Sequence, residues 1–318
     1  MPRKRSPWVR VLVAQASLFY AGICAKAPLP LVRICSLALG RIAYYTVPRI
    51  RRVGLANLDL AYGDSLSSRE KRRILRGSVD NSALVAAEFS HTARLFKCNF
   101  EGCVRVEGRE HVDQEKGALC IGSHMGNWEW TAPVMAAEGF SIAEVVRPLD
   151  DAHLNALVDG IRRIGGVETI PKDDAGRQII QHLKGGGYVG VLIDQSPRRN
   201  GVPVDFFGAR CWATIAPAMI AARTKLPIHP VAMIRQASGQ YVLRFYPALE
   251  LVHGKRLRDD LVVNTQRCQD AIEAIVRAYP EQWLWFHRRW KSRDYLENEW
   301  REKFGNKVEE ADEAPPKT

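Results

Sequence analysis

The pattern of apolar and polar positions between residues 118 and 247 predicts alternating strands and helices. Apolar runs predict strands at 118–123, 142–146, 167–170, 188–193, 228–234 and 241–247. Amphipathic stretches predict helices at 128–138, 152–164, 175–183 and 213–224, and the mixed stretch 196–212 is predicted to be a loop. Strands that alternate with helices usually pair in parallel with both faces covered. We therefore expect an α/β fold with a mostly parallel central sheet flanked by helices.

Patterns on either side of this core predict three further elements. Ser67-Ser68-Arg69-Glu70 is a capping box, which predicts a helix over 68–95. A strand is predicted at 100–107 and a helix at 259–278, which Pro280 ends. We divide the chain into an N-terminal membrane-attachment region at 1–50, an α/β domain at 51–305 and a polar acidic tail at 306–318 that is expected to be disordered.

The apolar pattern of the N-terminal region predicts hydrophobic helices that attach the protein to a membrane. After a basic start, the charge-free run 11–25 has 15 residues, which is shorter than the ~20 that a spanning helix needs. The next run, 31–47, is apolar except for Arg33 and Arg41, which share one helical face as in a helix that lies in a membrane interface. A tilted spanning helix and an ordinary pair of core helices are the alternatives.

Composition indicates a globular protein with anionic partners. The chain has 318 residues, enough for a large core, and a net charge of +11 that is clustered near the N-terminus and at 49–52, 69–76 and 288–293. Such clusters suit acidic phospholipid, a phosphorylated glycolipid or an acidic carrier protein, and an ordinary solvated charged face is the alternative. The arginines of 69–76 lie in the first turns of a predicted helix, against the preference of the helix dipole, which favours an anionic partner there. The sequence has no pattern of a nucleic-acid-binding module, so no nucleic acid is expected as a partner.

Cysteine, histidine and aromatic residues narrow the classes further. The seven cysteines are odd in number and form no C-x-x-C, which favours reduced thiols in a reducing compartment. The eight histidines show no paired ligand spacing, so no metal site is expected. The segment EQWLWFHRRWKSR, 281–293, interleaves aromatic and cationic residues. It fits a membrane interface or phosphate recognition, and packing of the rings on the core explains it equally well.

The stretch GALCIGSHMGNWEWTA, 117–132, carries the candidate catalytic residues. His124 and Glu129 would point ~140° apart on one continuous helix. A strand that ends at His124 and a helix that starts after Asn127, as its N-cap, would let the two side chains meet. A histidine held by a carboxylate is the minimal general base for activating a hydroxyl. The alternative is a buried histidine near a helix start.

Two further predicted strands also end in polar residues. Arg147 follows the second main strand, and Asp194 and Gln195 follow the third. Because the carboxyl ends of parallel strands meet at one edge of a sheet, we expect these side chains near His124. Arg147 suits a phosphate or carboxylate or a structural ion pair, and Asp194 suits substrate or a loop contact. The residues predicted to bind substrate are Asn127, Arg147, Asp194, Gln195, Arg198 and Arg199.

Four blocks in this order resemble the late acyltransferases of lipid A biosynthesis. They are SHMGNWE, VVRPLDDAHLNALVDGIRRIGG, LIDQSPRRNGVPVDFFG and EQWLWFHRRWK. With the similar upstream segment PRIRRVGLANLDLAYG, the likeness spans about residues 10–293. The family comprises the lauroyl and myristoyl transferases of the bacterial inner membrane.

The resemblance implies a function as well as a fold. It implies transfer of a fatty acyl chain from acyl carrier protein, or from coenzyme A, to a hydroxyl of a lipid A precursor at the cytoplasmic face of the inner membrane. His124 matches the family's catalytic histidine and Glu129 its carboxylate partner, and amide donors near Asn127 are expected to stabilise the oxyanion. Neither a metal nor a redox cofactor is expected, and no covalent acyl-enzyme.

Three alternatives stay open. A glycerophosphate acyltransferase shares an H-x-x-x-x-D pattern, although its E-G-T-R-like phosphate block does not occur here. The mannoside acyltransferases of actinobacteria share the same family pattern with a different glycolipid acceptor. A membrane glycolipid-binding protein without chemistry would keep its function when His124 is replaced.

Overall fold

The computed structural model describes residues 7–149, 151–172, 175–199, 201–254, 256–291 and 294–304, so the predicted tail, 306–318, lies outside the described residues. The helices are α1 (Pro7–Lys26), α2 (Leu29–Thr46), α3 (Pro48–Tyr62), α4 (Ser68–Phe89), α5 (Thr92–Phe96), α6 (Thr131–Ala137), α7 (Ala152–Arg162), α8 (Ala175–Lys184), α9 (Ala216–Thr224), α10 (Leu257–Ala278) and α11 (Asp294–Phe304). The strands are β1 (Val104–Glu107), β2 (Ala118–Gly122), β3 (Ile142–Val146), β4 (Glu168–Pro171), β5 (Tyr188–Leu192), β6 (Gly201–Phe206), β7 (Ala209–Thr214), β8 (Ile228–Arg235) and β9 (Tyr241–Phe245).

Seven strands form one mixed sheet in the order β1-β9-β8-β2-β5-β3-β4. The five strands from β8 to β4 pair in parallel, which confirms the predicted α/β fold with a mostly parallel sheet. β9 runs antiparallel to β8, and β1 pairs in parallel with β9. The central strand β2 is largely buried, as the continuous apolar run of a doubly covered sheet requires. β5 is buried at Tyr188 and Val189 and becomes exposed at Leu192.

Three predicted elements are corrected. The stretch 196–212 was expected to be a loop, but β6 and β7 form an antiparallel hairpin there. The alternation of buried Val202, Val204 and Phe206 with more exposed neighbours is the period-2 signal of a strand. The helix predicted at 213–224 therefore starts later than expected, at Ala216, the first residue of α9. The predicted helix 68–95 is likewise two helices, α4 and α5, and the capping box at the start of α4 is present.

The first turns after β2 also differ from the prediction. The expected helix 128–138 begins as a 3-10 turn, Trp128–Trp130, and continues as α6. Asn127 was expected to cap it, but its side chain makes no capping hydrogen bond. Its amide is instead buried and donates to Glu88 of α4, 2.8 Å away. This contact ties the turn after β2 to α4 rather than to its own helix.

Helix α2 packs closely on α4 and leaves an apolar face outside. A Cβ on Gly40 would lie 2.9 Å from Cβ of Ala83, so the close approach of the two helices depends on glycine at this position. The opposite face of α2 exposes large apolar side chains, namely Leu31, Ile34, Leu39, Ile42 and Tyr45. In the described part of the chain, no helix combines the length and apolar character needed to cross a bilayer.

The aromatic segment near the C-terminus belongs to the core. Trp283 and Trp285 are fully buried and contact each other edge to face, with ring centroids 4.7 Å apart. Arg289 is also fully buried, and its guanidinium donates to the carbonyl of Trp212 and to the side-chain oxygen of Gln269. Of the two interpretations of this segment, packing on the core therefore holds for these three residues.

Candidate active site

A cavity of about 310 Å³ opens at the carboxyl ends of β2, β3 and β5. Its apolar wall includes Cys120, Ile121, Ala132, Met135, Ile142, Val145, Val191, Leu192, Val231 and Met233. Its polar residues include His124, Glu129, Glu144, Arg147, Arg162, Lys172 and Gln195. The strand-end residues predicted to share one edge of the sheet are thus brought together, and an apolar pocket lies directly beside them.

His124 forms a tight pair with Asp194. Nδ1 of His124 lies 2.8 Å from Oδ1 of Asp194, and the backbone N–H of His124 donates to Oδ2 at 2.9 Å. The indole N–H of Trp283 donates to the same Oδ2, also at 2.9 Å. Because a carboxylate only accepts hydrogen bonds, Nδ1 carries the proton in the neutral form of the imidazole and Nε2 then has the free lone pair. Nε2 lies 3.4 Å from the side-chain amide of Gln195 at the cavity.

The two groups shift each other's pKa in opposite directions. Burial disfavours the imidazolium form of His124, but the charge of Asp194 and their hydrogen bond outweigh it and raise the pKa of His124. Burial likewise opposes ionisation of Asp194, but the charge and hydrogen bonds of His124 hold the pKa of this carboxyl well below its usual range. A buried, ionised aspartate therefore raises the basicity of the histidine, as a general base requires.

The expected partner of His124 is corrected by this geometry. Glu129 was predicted to hold the imidazole, but it forms a bidentate ion pair with Arg162, with N–O distances of 2.7 and 2.9 Å. The indole N–H of Trp128 also donates to Glu129, at 3.2 Å. Glu129 lines the same cavity and its negative charge still contributes to the raised pKa of His124. Glu129 therefore affects the pKa of His124 through the electrostatic field of its charge, whereas Asp194 is hydrogen-bonded to the imidazole ring.

Glu144 is a second carboxyl group in the cavity. It lies on β3, and burial together with the negative charge of Glu129 raises its pKa to about 8, although Arg162 opposes the shift. Glu144 is therefore largely protonated at neutral pH. The polar end of the cavity then carries the negative charge of Glu129 against the positive charges of Arg162, Arg147 and Lys172.

The turn that follows His124 is held rigidly, which also corrects the expected oxyanion site. The N–H of Gly126 donates to the carbonyl of Gln282 at 3.2 Å, and that of Asn127 to the carbonyl of Met233 at 3.1 Å. Both amide N–H groups therefore already donate to backbone carbonyls, and they do not point at an oxyanion in the cavity. Gly126 has a φ of +57°, and a Cβ there would lie 1.6 Å from the Met233 carbonyl oxygen, so the turn requires glycine.

A buried carboxylate anchors the same turn from behind. Glu88 of α4 is fully buried and accepts hydrogen bonds from Asn127, from Nε of Arg33 at 2.8 Å and from Tyr241. Arg235, at the end of β8, completes the cluster with N–O distances of 2.8 and 3.0 Å. Two arginines compensate the buried charge, as a stable buried carboxylate requires. Asn127 thus positions the turn from inside the protein instead of lining the cavity.

The remaining predicted substrate residues divide into two groups. Arg147 and Gln195 are exposed side chains that line the cavity. Arg198 and Arg199 are exposed on the loop after β5, outside the set of residues that line it. An extended anionic substrate would have to project from the cavity to reach these two.

Sequence reasoning missed several residues of this site, Lys172 among them. Glu144 had a usable signal, because a carboxylate inside the apolar run IAEVV is costly unless it has a function or a partner. Arg162, Glu88 and Trp283 had no comparable signal, since each meets its partner only through the tertiary fold. The alternative that His124 is simply buried beside a helix start does not describe its ring, which opens on a cavity.

The chain as a whole is similar to known proteins. A family model described as bacterial lipid A biosynthesis acyltransferase matches residues 3–292. The lipid A biosynthesis lauroyltransferase of Escherichia coli is 23% identical over 286 residues, which cover 85% of this chain and 89% of the relative. A phosphatidylinositol mannoside acyltransferase of Mycobacterium tuberculosis is 24% identical over 193 residues, 58% of this chain; the match spans only 59% of that relative.

The chain is also similar to solved structures. One of them is a crystal structure of 1-acyl-sn-glycerophosphate acyltransferase from Thermotoga maritima, 18% identical, with a TM-score of 0.35. The match covers 76% of this chain and 99% of that chain. The fold assignment rests on the sheet topology described above.

Proposed function

This chain belongs to the bacterial lipid A biosynthesis acyltransferase family, and we propose that it transfers a fatty acyl chain from a thioester donor to a hydroxyl of a lipid A precursor. The observation that carries the proposal is the His124–Asp194 pair at the mouth of an apolar cavity. A base with its lone pair directed at substrate and a pocket for an acyl chain are the two parts that such a transfer needs.

In the proposed reaction, Nε2 of His124 takes the proton of the acceptor hydroxyl as the oxygen attacks the thioester carbonyl carbon. Asp194 holds the ring in the productive tautomer and stabilises the imidazolium that forms. The tetrahedral intermediate then collapses, the carbon–sulfur bond breaks, and the imidazolium returns the proton to the leaving thiolate. The acyl chain passes directly to the acceptor, without a covalent enzyme intermediate.

Gln195 is the proposed oxyanion donor. Its side-chain amide lies beside Nε2 of His124 and lines the cavity. A donor at this distance from the base can reach the carbonyl oxygen of a thioester whose carbon lies next to the attacking hydroxyl. This assignment replaces the amides of Gly126 and Asn127.

Arg162, Arg147 and Lys172 are proposed to bind the anionic part of the acceptor. All three line the polar end of the cavity. Glu129 fixes the guanidinium of Arg162 through both oxygens, so that this cation is held in one orientation before the substrate arrives. Arg198 and Arg199 are proposed to contact a part of a large phosphorylated glycolipid that projects from the cavity.

Acyl carrier protein is the proposed donor and partner, with coenzyme A as the alternative carrier. The net charge of +11 suits an acidic carrier. No metal or redox cofactor is proposed, because the thioester supplies the driving force. The proposed location is the cytoplasmic face of the bacterial inner membrane, with the exposed apolar face of α2 in the lipid interface.

Mass spectrometry of reaction products tests the proposal. An under-acylated lipid A precursor is incubated with acyl carrier protein thioesters of several chain lengths, with wild type and His124→Ala in parallel. A mass gain of one acyl chain with wild type alone is expected. The same panel includes coenzyme A thioesters, a phosphatidylinositol mannoside and a lysophosphatidate.

The other outcomes separate the alternatives. Acylation of the mannoside or the glycerophosphate alone would keep the chemistry and change the acceptor. Acylation by both proteins would remove His124 as the base. Binding of the glycolipid by both proteins without acylation of any acceptor would favour the non-catalytic binding protein.

A further inference from the structure

A second cavity, of about 690 Å³, lies between α2 and α4, and it shares no lining residue with the candidate active site. Four of its lining residues are arginines: Arg41 of α2, and Arg69, Arg73 and Arg76 of α4. The three on α4 are spaced at i, i+4 and i+7, so they project from one face of that helix. These four arginines are called the arginine cluster below.

The carboxylates around the arginine cluster are engaged only weakly with it. Asp80 lies 3.3 Å from Arg41, and Glu281 lies 3.4 Å from Arg73, and both arginine side chains are at least 70% exposed. Exposed pairs of this kind contribute little to stability. The third carboxylate, Glu70, accepts both the backbone N–H and the hydroxyl of Ser67 at 2.7 Å in the capping box. The guanidinium groups can therefore turn to an anion at little cost.

The folding of α4 does not explain why arginines occupy these positions. A cation in the first turn of a helix, such as Arg69 in α4, opposes the helix dipole. The helix start is already satisfied by the capping box of Ser67 and Glu70. A ligand that is stabilised by positive charge there accounts for the pattern, and phosphate is a group that guanidinium binds with two parallel hydrogen bonds.

The surroundings of the arginine cluster indicate where that phosphate comes from. Tyr45 lines the cavity and is 65% exposed, and one turn earlier on the same helix Ile42 is 57% exposed. Leu39, Ile34 and Leu31 continue this exposed apolar face along α2. A soluble acidic protein would not need such a face, whereas a bilayer supplies both acyl chains for it and phosphates for the arginines.

We propose that the arginine cluster is a binding site for the phosphate headgroup of anionic phospholipid, which docks α2 with its apolar face in the bilayer. The site sets the orientation of the protein on the membrane and is separate from the pocket where acyl transfer is proposed. The inference rests on the proposed membrane location and not on the proposed chemistry.

Co-flotation with vesicles tests the site on the full-length protein. The probes are vesicles of pure phosphatidylcholine and vesicles of phosphatidylcholine with phosphatidylglycerol. The test variant is Arg69→Gln/Arg73→Gln/Arg76→Gln. The matched control removes three exposed charges on α8 and α9, as Arg177→Gln/Lys184→Gln/Arg223→Gln. Both variants are first compared with wild type in thermal unfolding.

Wild type is expected to prefer the anionic vesicles, and the test variant to lose roughly a hundredfold in partition to them. The control variant is expected to stay within roughly twofold of wild type, because its charges lie on α8 and α9 and none of them lines the cavity of the arginine cluster. Arg69→Lys/Arg73→Lys/Arg76→Lys is expected to recover part of the binding, which separates charge at this site from damage to α4.

Four results would overturn the proposal. Equal losses in the test and control variants would show that the cluster contributes only through the net positive charge of the protein and forms no specific site. Equal binding of wild type to neutral and anionic vesicles would keep membrane attachment but remove the headgroup site. Absence of any vesicle binding would contradict both membrane attachment and the headgroup site. The proposed acyl transfer, measured in detergent, would be unaffected by that result. Loss of binding to acyl carrier protein, with vesicle binding unchanged, would assign the cluster to the acidic carrier.

Discussion

Oδ1 of Asp194 lies 2.8 Å from Nδ1 of His124, although 70 positions separate the two residues in the chain. The register of the sheet accounts for this contact. β2 and β5 pair in parallel with Gly122 opposite Leu192, and each side chain of the pair stands two residues beyond that rung. The hydrogen-bonded sheet thus holds base and carboxylate in place before substrate arrives.

The pH dependence of acyl transfer should report this pair. Since only neutral His124 accepts a proton and Asp194 raises its pKa above the usual 6.5, kcat/KM should rise with pH through a pKa higher than 6.5. Asp194→Asn should move that pKa downward and leave a lower plateau. Initial rates between pH 5 and 9 check this, and an unmoved pKa in the variant would assign the titration to another group.

The ion pair of Glu129 and Arg162 should behave as one unit. Both side chains are mostly buried, so that removing either partner leaves a poorly solvated charge. Glu129→Gln and Arg162→Gln should each lower the free energy of unfolding by about 1–3 kcal/mol. The loss of unfolding free energy in the double variant should be smaller than the sum of the two single losses, by about 1 kcal/mol. Urea unfolding measures the cycle, and strictly additive losses would show that the two side chains do not interact.

Gly126 should tolerate no side chain. Gly126→Ala places a Cβ against the Met233 carbonyl oxygen and keeps a positive φ, so unfolding should become easier by about 3 kcal/mol or more. Gly208→Ala is the matched control, because Gly208 has a φ of +70° but open space around it. That change should cost only about 1–2 kcal/mol. Equal costs at the two positions would mean that the turn after His124 relaxes.

The depth of the apolar cavity should select the acyl chain. Ala132 lines the cavity from α6, and Ala132→Leu should shift the preference of the transferase toward shorter thioesters. Ala137→Leu, on the same helix but outside the cavity lining, should leave the preference unchanged. Competition between thioesters of different length, read by mass spectrometry, compares the two variants. An unchanged preference in Ala132→Leu would place the acyl chain elsewhere.

Much of the sheet could be predicted from the sequence, because strands buried on both faces read as apolar runs. The predicted bounds of β3 agree with the structure, and those of β2 and β5 differ by one residue. The sheet edge that gathers His124, Arg147 and Gln195 followed from the same reasoning. The β6–β7 hairpin was missed. The polar residues Arg198 and Arg199 that precede β6, and the turn Phe207-Gly208 between the two strands, have the composition of a loop.

The partner of His124 could not be predicted in the same way. Sequence spacing favoured Glu129, which is near in the chain, but the choice between two carboxylates depends on which strand lies beside β2. β2 lies between β8 and β5, and the carboxylate that follows β5 is the one that reaches His124; strand order is set by packing of the whole domain. The same limit applies to Arg162 and Glu88, whose partners come from distant elements.

The most direct measurement of the central claim is the acyl-transfer rate of His124→Ala, Asp194→Asn and their double variant. If the two residues form one general-base unit, each single variant should lose on the order of 10²–10⁴-fold in kcat. The double variant should then be no slower than His124→Ala alone, because a unit can be lost only once. A rate for Asp194→Asn close to wild type, or losses that multiply in the double variant, would contradict the account.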